Sequence, residues 1–169
     1  MALIVEDGTG LSTAESYASV AECDVYLAAN GITIWAPLLT AEKEQALRRA
    51  TNFMLQVYRP QWKGQRATAV QRLDWPRWNV YLPDQPYYVP NTSIPETLKN
   101  AQCELALLGA MGDLNTVQAQ AVISKQVGPL KITYDKDSSQ SKKYVHVDEM
   151  LSVYTSGRSS GNMMRLVRC

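Results

Sequence analysis

Six of the eight prolines in this 169-residue chain lie between Pro60 and Pro95, and that clustering limits the fold more than any other feature of the sequence. A proline inside a helix removes a backbone hydrogen bond and clashes with the preceding turn, so regular helix is excluded over most of the stretch. The helices must therefore lie on either side of it. A connection this long inside a compact domain is unusual, and it carries function, an interface or irregular packed structure.

The flanking segments read as helices. Ser19-Val20-Ala21-Glu22 fits a capping box, with Val20, Cys23, Tyr26 and Leu27 on one face and Asn30-Gly31 as a stop. Thr40 is placed to cap a second helix whose apolar stripe is Leu47, Ala50, Met54 and Val57. Glu44 and Arg48 form an i, i+4 pair on its outer side, and Pro60 ends it by Arg59. A third helix starts at Pro95 and carries Leu98, Ala101, Leu105 and Leu108 to about Ala110. Before the first helix, Leu3–Val5 reads as a short strand broken by Asp7-Gly8-Thr9-Gly10.

The period then changes. Val122, Ile123 and Val127, followed by Gly128-Pro129 and by Leu130, Ile132 and Tyr134 alternating with Lys131 and Thr133, predict a β-hairpin or strand pair over 121–135. Val147, Met150, Leu151 and Tyr154 give a last short helix. The expected fold is mainly α. It has a compact core of three main helices plus a short C-terminal one, a β-hairpin excursion and an extended C-terminal arm. The domain runs over 1–154, including the irregular segment 60–95, and the arm over 155–169.

Composition narrows the function classes. Hydrophobic residues make up 46% and charged residues 20%, and 17 basic against 16 acidic residues leave a net charge of +1. Such a balance exerts no long-range pull on nucleic acid or membrane, although local basic patches are compatible with it. The apolar runs are too short for a membrane span, and the N-terminus lacks the basic region of a secretory signal. Cys23, Cys103 and Cys169 form no spaced pair, which suits a reducing cytosol where free cysteines act as small buried hydrophobes. These features predict a soluble intracellular protein with no membrane partner.

A search for catalytic chemistry returns nothing. His146 is the single histidine and has no recognisable nucleophile beside it. One His and three scattered Cys make no zinc site, Asp7-Gly8-Thr9-Gly10 lacks the Lys-Ser/Thr of a phosphate loop, and Asp135 and Asp137 lack the Gly and Glu of a calcium loop. The expectation is a non-enzyme with no catalytic residues, no metal and no cofactor.

Two segments are suited to binding. Arg59–Arg77 holds Arg59, Lys63, Arg66, Arg72 and Arg77 against the single acid Asp74, interleaved with Trp62, Trp75 and Trp78. Cations that neutralise phosphates beside aromatics that stack on bases suit single-stranded nucleic acid. The competing reading ranks first: the tryptophans pack the irregular segment onto the helices, while the arginines snorkel or pair across a subunit boundary. The arm is the second segment. After a Gly/Ser lead at Gly157, Ser159, Ser160 and Gly161, it presents Met163, Met164, Arg165, Leu166, Val167 and Arg168 with no acid beyond Glu149, a pattern suited to packing on a partner.

A string of motifs in order extends over essentially the whole chain. It comprises Val5–Gly10 with Ser16–Val20, Leu47–Thr51, Tyr58-Arg59-Pro60, Trp62-Lys63-Gly64, Leu73–Arg77, Ile94-Pro95, Ala101–Ala106, Val127–Leu130 and Arg165–Arg168. The string resembles the head–tail connector (adaptor) proteins of long-tailed bacteriophages, in the group labelled DnaT-like single-stranded DNA-binding. The connector resemblance implies a structural subunit of a twelve-fold ring under the portal, extending the DNA channel and joining neck and tail. Its partners would be copies of itself, the portal protein, neck and tail-completion proteins and the DNA passing through. Its location would be the virion, after assembly in the host cytoplasm. On that resemblance Met163–Arg168 dock on the portal, while Trp62, Lys63, Arg66, Arg72, Trp75 and Arg77 form the ring interface or touch nucleic acid. The DnaT-like label implies the alternative, a replication accessory protein that grips single strands through Trp62, Trp75 and the surrounding arginines. It ranks second because a near-neutral chain lacks a broad basic groove.

Overall fold

A computed structural model describes residues 2–84, 86–115, 122–126, 131–134 and 143–156. Its helices are α1 (Val20–Ala29), α2 (Thr40–Val57), α3 (Glu96–Met111) and α4 (Val145–Leu151). Short antiparallel pairs join β1 (Gln65–Arg66) to β2 (Arg77–Trp78) and β3 (Val122–Gln126) to β4 (Lys131–Tyr134). The fold is a compact helical core with a hairpin, as the periodicities predict. The arm from 157 onward and the Gly128-Pro129 turn lie outside the described residues.

α3 is the centre, packed against α1, α2 and α4. The α1 capping box forms in full: the Glu22 backbone N–H donates to Ser19 Oγ (3.2 Å) and the Ser19 N–H donates to Glu22 Oε2 (2.7 Å). Gly31, at φ +74°, closes the helix in the left-handed region. α2 begins at Thr40 instead of being capped by it. Leu39 is the flanking residue, and its N–H donates to Glu42 Oε2 at 2.9 Å. Leu47, Ala50 and Met54 are buried, as the stripe requires, and Arg48 joins Glu44 (3.4 Å) and Glu15 (2.9 Å). α4 starts two residues before Val147 and hands over to a 3-10 turn, Ser152–Tyr154. The expected strand Leu3–Val5 shrinks to a single parallel bridge between Val5 and Ser16.

Two buried polar groups help to fix the N-terminal segment, which also buries Ala14, Tyr17 and Ala18 in the core. Gln102 on α3 is fully buried, and every polar capacity of its amide is used. Its Oε1 accepts from the N–H groups of Tyr17 and Ala18, both at 2.9 Å. Its Nε2 donates to Ser16 Oγ (2.7 Å), Thr51 Oγ1 (2.7 Å) and the Leu47 carbonyl (3.2 Å). Glu6, also buried, accepts from the backbone N–H groups of Gly8, Gly10 and Leu11 and so shapes the turn. A Cβ at Gly8 would collide with the Thr92 carbonyl, so the turn can press on the segment leading into α3 only as glycine.

The cysteine expectation needs correction. Cys23 of α1 and Cys103 of α3 form a disulfide, with Cα atoms 5.3 Å apart and a sequence separation of 80. Both are buried, as expected of small hydrophobes. Their partnership leaves no local spacing signature, because it is created by the packing of α1 on α3.

Candidate nucleic-acid interface

The irregular stretch after α2 folds as a pleated ribbon laid over the helices. A 3-10 turn, Arg59–Gln61, leads to Trp62, which bridges antiparallel to Thr155 beyond α4. β1 then pairs with β2 in the register Gln65↔Trp78 and Arg66↔Arg77. Gly64 permits this approach, since a Cβ there would run into the Trp78 carbonyl oxygen. Further on, Tyr81 bridges Tyr88, and the Val89 N–H donates to the Val80 carbonyl at 2.9 Å. The peptide Trp75–Pro76 is cis.

Burial along this ribbon decides which groups meet solvent. Residues 73 to 77 are all buried, Trp75 and Arg77 among them, and Trp78 is exposed. Asn79 then sits at φ +58°, a left-handed conformation that Asn adopts more readily than most residues. Beyond it Val80 and Leu82 are buried, while Tyr81 is half exposed. Trp78 and Tyr81 are each 50% exposed, Tyr88 61% and Tyr87 74%. Tyr81 and Tyr88 meet edge to face with centroids 5.9 Å apart, and Trp78 Nε1 donates to the Ala67 carbonyl at 3.2 Å, holding its ring in place.

The two tryptophans singled out from the sequence lie elsewhere. Trp75 is fully buried and Trp62 nearly so. They belong to a continuous run of rings, Tyr144–Phe53–Tyr58–Trp62–Trp75–Tyr154, with successive centroids 5.4 to 6.5 Å apart. Neither indole offers a face to a base, which corrects the expectation that single strands would be gripped through Trp62 and Trp75. Packing is their role.

The cations divide in the same way. Arg77 is buried, and its guanidinium donates to the carbonyls of Lys63 (2.7 Å), Gly64 (2.8 Å) and Asp74 (3.1 Å), riveting β2 to β1. Burial lowers its pKa from the ordinary guanidinium value against the opposing pull of Asp74. Arg59 is neutralised by the buried Asp74 carboxylate at 3.0 Å, and Lys63 Nζ donates to the Val153 carbonyl at 2.7 Å. Arg66 and Arg72 remain exposed. Arg66 donates to the Gln71 carbonyl, which anchors the side chain without cancelling its charge.

Of the expected set, Arg66 and Arg72 are exposed, whereas Trp62, Trp75 and Arg77 are buried. The exposed rings of Tyr81, Tyr87 and Tyr88 were missed. The sequence signal for them was the density of tyrosine beside Trp78 in a proline-rich stretch that cannot bury every ring. Met163, Met164, Arg165, Leu166, Val167 and Arg168 lie outside the described residues. His146 is exposed, and no group of three or more His, Cys, Asp or Glu that could hold a metal ion occurs among the described residues.

Comparison with known proteins adds one finding. A family model described as "Putative DnaT-like ssDNA binding protein" matches residues 1–169. No curated protein and no solved structure matches. The match overturns the connector reading: it points to single-stranded DNA as the partner and gives no indication of a head–tail connector, a twelve-fold ring, a portal or tail proteins. Net charge misled the ranking, because a binding surface depends on which local groups are exposed and uncommitted, not on the sum over the chain.

Proposed function

We propose a function from one premise: the chain belongs to the DnaT-like single-stranded DNA-binding family. It holds single-stranded DNA by stacking bases on the exposed aromatic edge of the ribbon, and it acts by binding and not by catalysis. Trp78, Tyr81, Tyr87 and Tyr88 supply ring faces, and Arg66 and Arg72 supply charge for phosphates. Base–aromatic stacking tolerates any sequence because every base has a π-face, so binding is sequence-independent. Duplex DNA, whose bases are already stacked on one another, has no free faces to offer.

The observation that carries this reading is the exposure of Trp78, Tyr81, Tyr87 and Tyr88 within one short ribbon. Large aromatics are normally buried when a core is available to them. Titration of a fluorescent oligothymidine tests it. Trp78→Ala and Tyr88→Ala should each weaken binding roughly tenfold to a hundredfold, from about 1–3 kcal/mol per stacked base. Equal affinity for duplex and single strand, or unchanged binding by both variants, would defeat it.

A further inference from the structure

Arg66 and Trp78, a cation for phosphate and a ring for a base, are both fastened to one turn, 67–71, in the connection from β1 to β2. Trp78 Nε1 donates to the Ala67 carbonyl at 3.2 Å, and the Arg66 guanidinium donates to the Gln71 carbonyl. In the β1–β2 register Arg66 is next in chain to Gln65, the residue that faces Trp78. A guanidinium carries five N–H donors, so this contact steers the group without using it up. A long side chain fixed beforehand does not have to be ordered when the ligand arrives, which raises affinity.

What holds the turn is a buried amide. Gln71 is 1% exposed, an unusual place for a side chain that loses its water and must find a partner for each polar atom. Its Oε1 accepts from the Thr68 N–H at 2.8 Å, and its Nε2 donates to the carbonyls of Leu73 (2.9 Å) and Pro76 (3.1 Å). The Gln71 N–H donates in turn to Thr68 Oγ1 at 3.1 Å, and the Ala67 N–H to the Pro76 carbonyl at 3.0 Å. The N-terminal segment braces the turn: the Arg72 N–H donates to the Leu11 carbonyl at 3.1 Å, and a Cβ at Gly10 would press on Thr68 and Gln71. The Gln71 carbonyl thus anchors Arg66, while its side chain fixes the turn whose other end anchors Trp78.

We infer that Gln71 is a positioning residue, whose buried amide sets Arg66 and Trp78 as a single subsite for one nucleotide of single-stranded DNA. The ring takes the base and the guanidinium takes the phosphate. This rests on the single-strand reading above, and it adds a residue that acts through two others without touching the DNA.

The test compares oligothymidine binding, over a range of salt, by the full chain and its Gln71→Met, Arg66→Gln and Trp78→Ala variants. Trp78→Ala should lower affinity and leave the slope of log Kobs against log salt in place. Arg66→Gln should make that slope less negative by about 0.7, the share of one phosphate on a single strand. Gln71→Met should do both, with a loss of roughly tenfold, and adding Trp78→Ala to it should cost less than the product of the two separate losses. Trp78 is the one exposed tryptophan of four. Its indole N–H signal in NMR, assigned by its absence from Trp78→Ala, should shift in Gln71→Met while the other three stay. Should Gln71→Met not fold, Thr68→Val, which removes the hydroxyl that accepts from the Gln71 N–H, decides by the same readouts with a smaller expected loss. Wild-type affinity and slope in that variant, beside weakened binding by Trp78→Ala, overturn the positioning role and leave the ribbon standing. Losses that multiply in the double variant, or movement of all four indole signals, make Gln71 a merely structural residue and overturn it too. If Trp78→Ala and Arg66→Gln both bind like the full chain, the single-strand reading fails and takes this role with it.

Discussion

Trp75 and Trp78 are three residues apart on one ribbon, yet they belong to opposite halves of the protein's aromatic surface. Trp75 lies in the ring run that joins α2, the ribbon and the segment after α4, with Tyr154 at 5.6 Å and Trp62 at 5.9 Å. Trp78 lies on the outer face with Tyr81, Tyr87 and Tyr88. Within the run Phe53, Tyr58, Trp62 and Trp75 each contact rings on two sides and are buried. Of the outer rings, Trp78 is held by its bond to the Ala67 carbonyl and Tyr81 and Tyr88 by each other. The difference lies in which face of the ribbon each ring occupies, and Arg77, bonded to the carbonyls of Lys63, Gly64 and Asp74, holds the strand that carries Trp78.

The sharpest way to break the comparison is to truncate one tryptophan from each half. Trp75→Ala should cost about 3–5 kcal/mol, as large aromatic-to-alanine changes in cores do, read as a fall in the denaturant midpoint. Trp78→Ala should cost less than about 1 kcal/mol while weakening single-strand binding roughly tenfold to a hundredfold. Similar stability losses for the two would erase the distinction.

Arg77→Lys sharpens it with a smaller effect. Lysine keeps the charge but not the planar fork that reaches three carbonyls. Stability should fall by about 1–3 kcal/mol as buried carbonyls lose their donors. Single-strand affinity should fall as well, because β2 carries Trp78. If affinity stays whole after such a loss, Arg77 does not position the ring.

The smallest effect is confined to alkaline pH. Burial, reinforced by the Asp74 carboxylate, raises the Tyr17 pKa above its ordinary value of 10.0. Burial also raises Tyr58, together with the hydrogen bond it donates to Asp148 at 2.6 Å. In the unfolded chain both phenols ionise near about pH 10. Above that pH the folded state therefore binds more protons than the unfolded one, and stability falls as pH rises; below it the contribution is fully present. Denaturation midpoints should be flat with respect to these groups below pH 10 and decline above it. The decline should be shallower in a Tyr17→Phe, Tyr58→Phe variant. An identical alkaline slope in that variant would remove these two phenols as its cause.

Local signals were legible in the sequence wherever both partners are close along the chain. Ser19 and Glu22 announce α1 because a capping box is complete within four residues. Pro95 and the stripe from Leu98 to Leu105 announce α3, and the alternation around Ile132 announces β4. The ribbon was legible only as a place where helix is forbidden. Sorting Trp62 and Trp75 from Trp78 requires knowing how the ribbon lies on the helices, because Trp62 and Trp75 pack in the ring run and Trp78 does not. The Cys23–Cys103 bond and the burial of Gln102 were invisible for a related reason, since their partners are created by packing across more than fifty residues.

Gln102 bears on how the domain comes together. Its five hydrogen-bond partners belong to α2 and to the segment at Ser16–Ala18, and the nearest along the chain is Thr51, 51 residues away. Docking α2 on α3 satisfies only the Nε2 side, so a half-built intermediate buries an acceptor with nothing to accept, a state costing about 1–3 kcal/mol. Only arrival of the first twenty residues relieves it. The amide thus acts as a proofreading latch that penalises any assembly lacking its amino-terminal segment and welds early and late parts of the polypeptide into one cooperative unit.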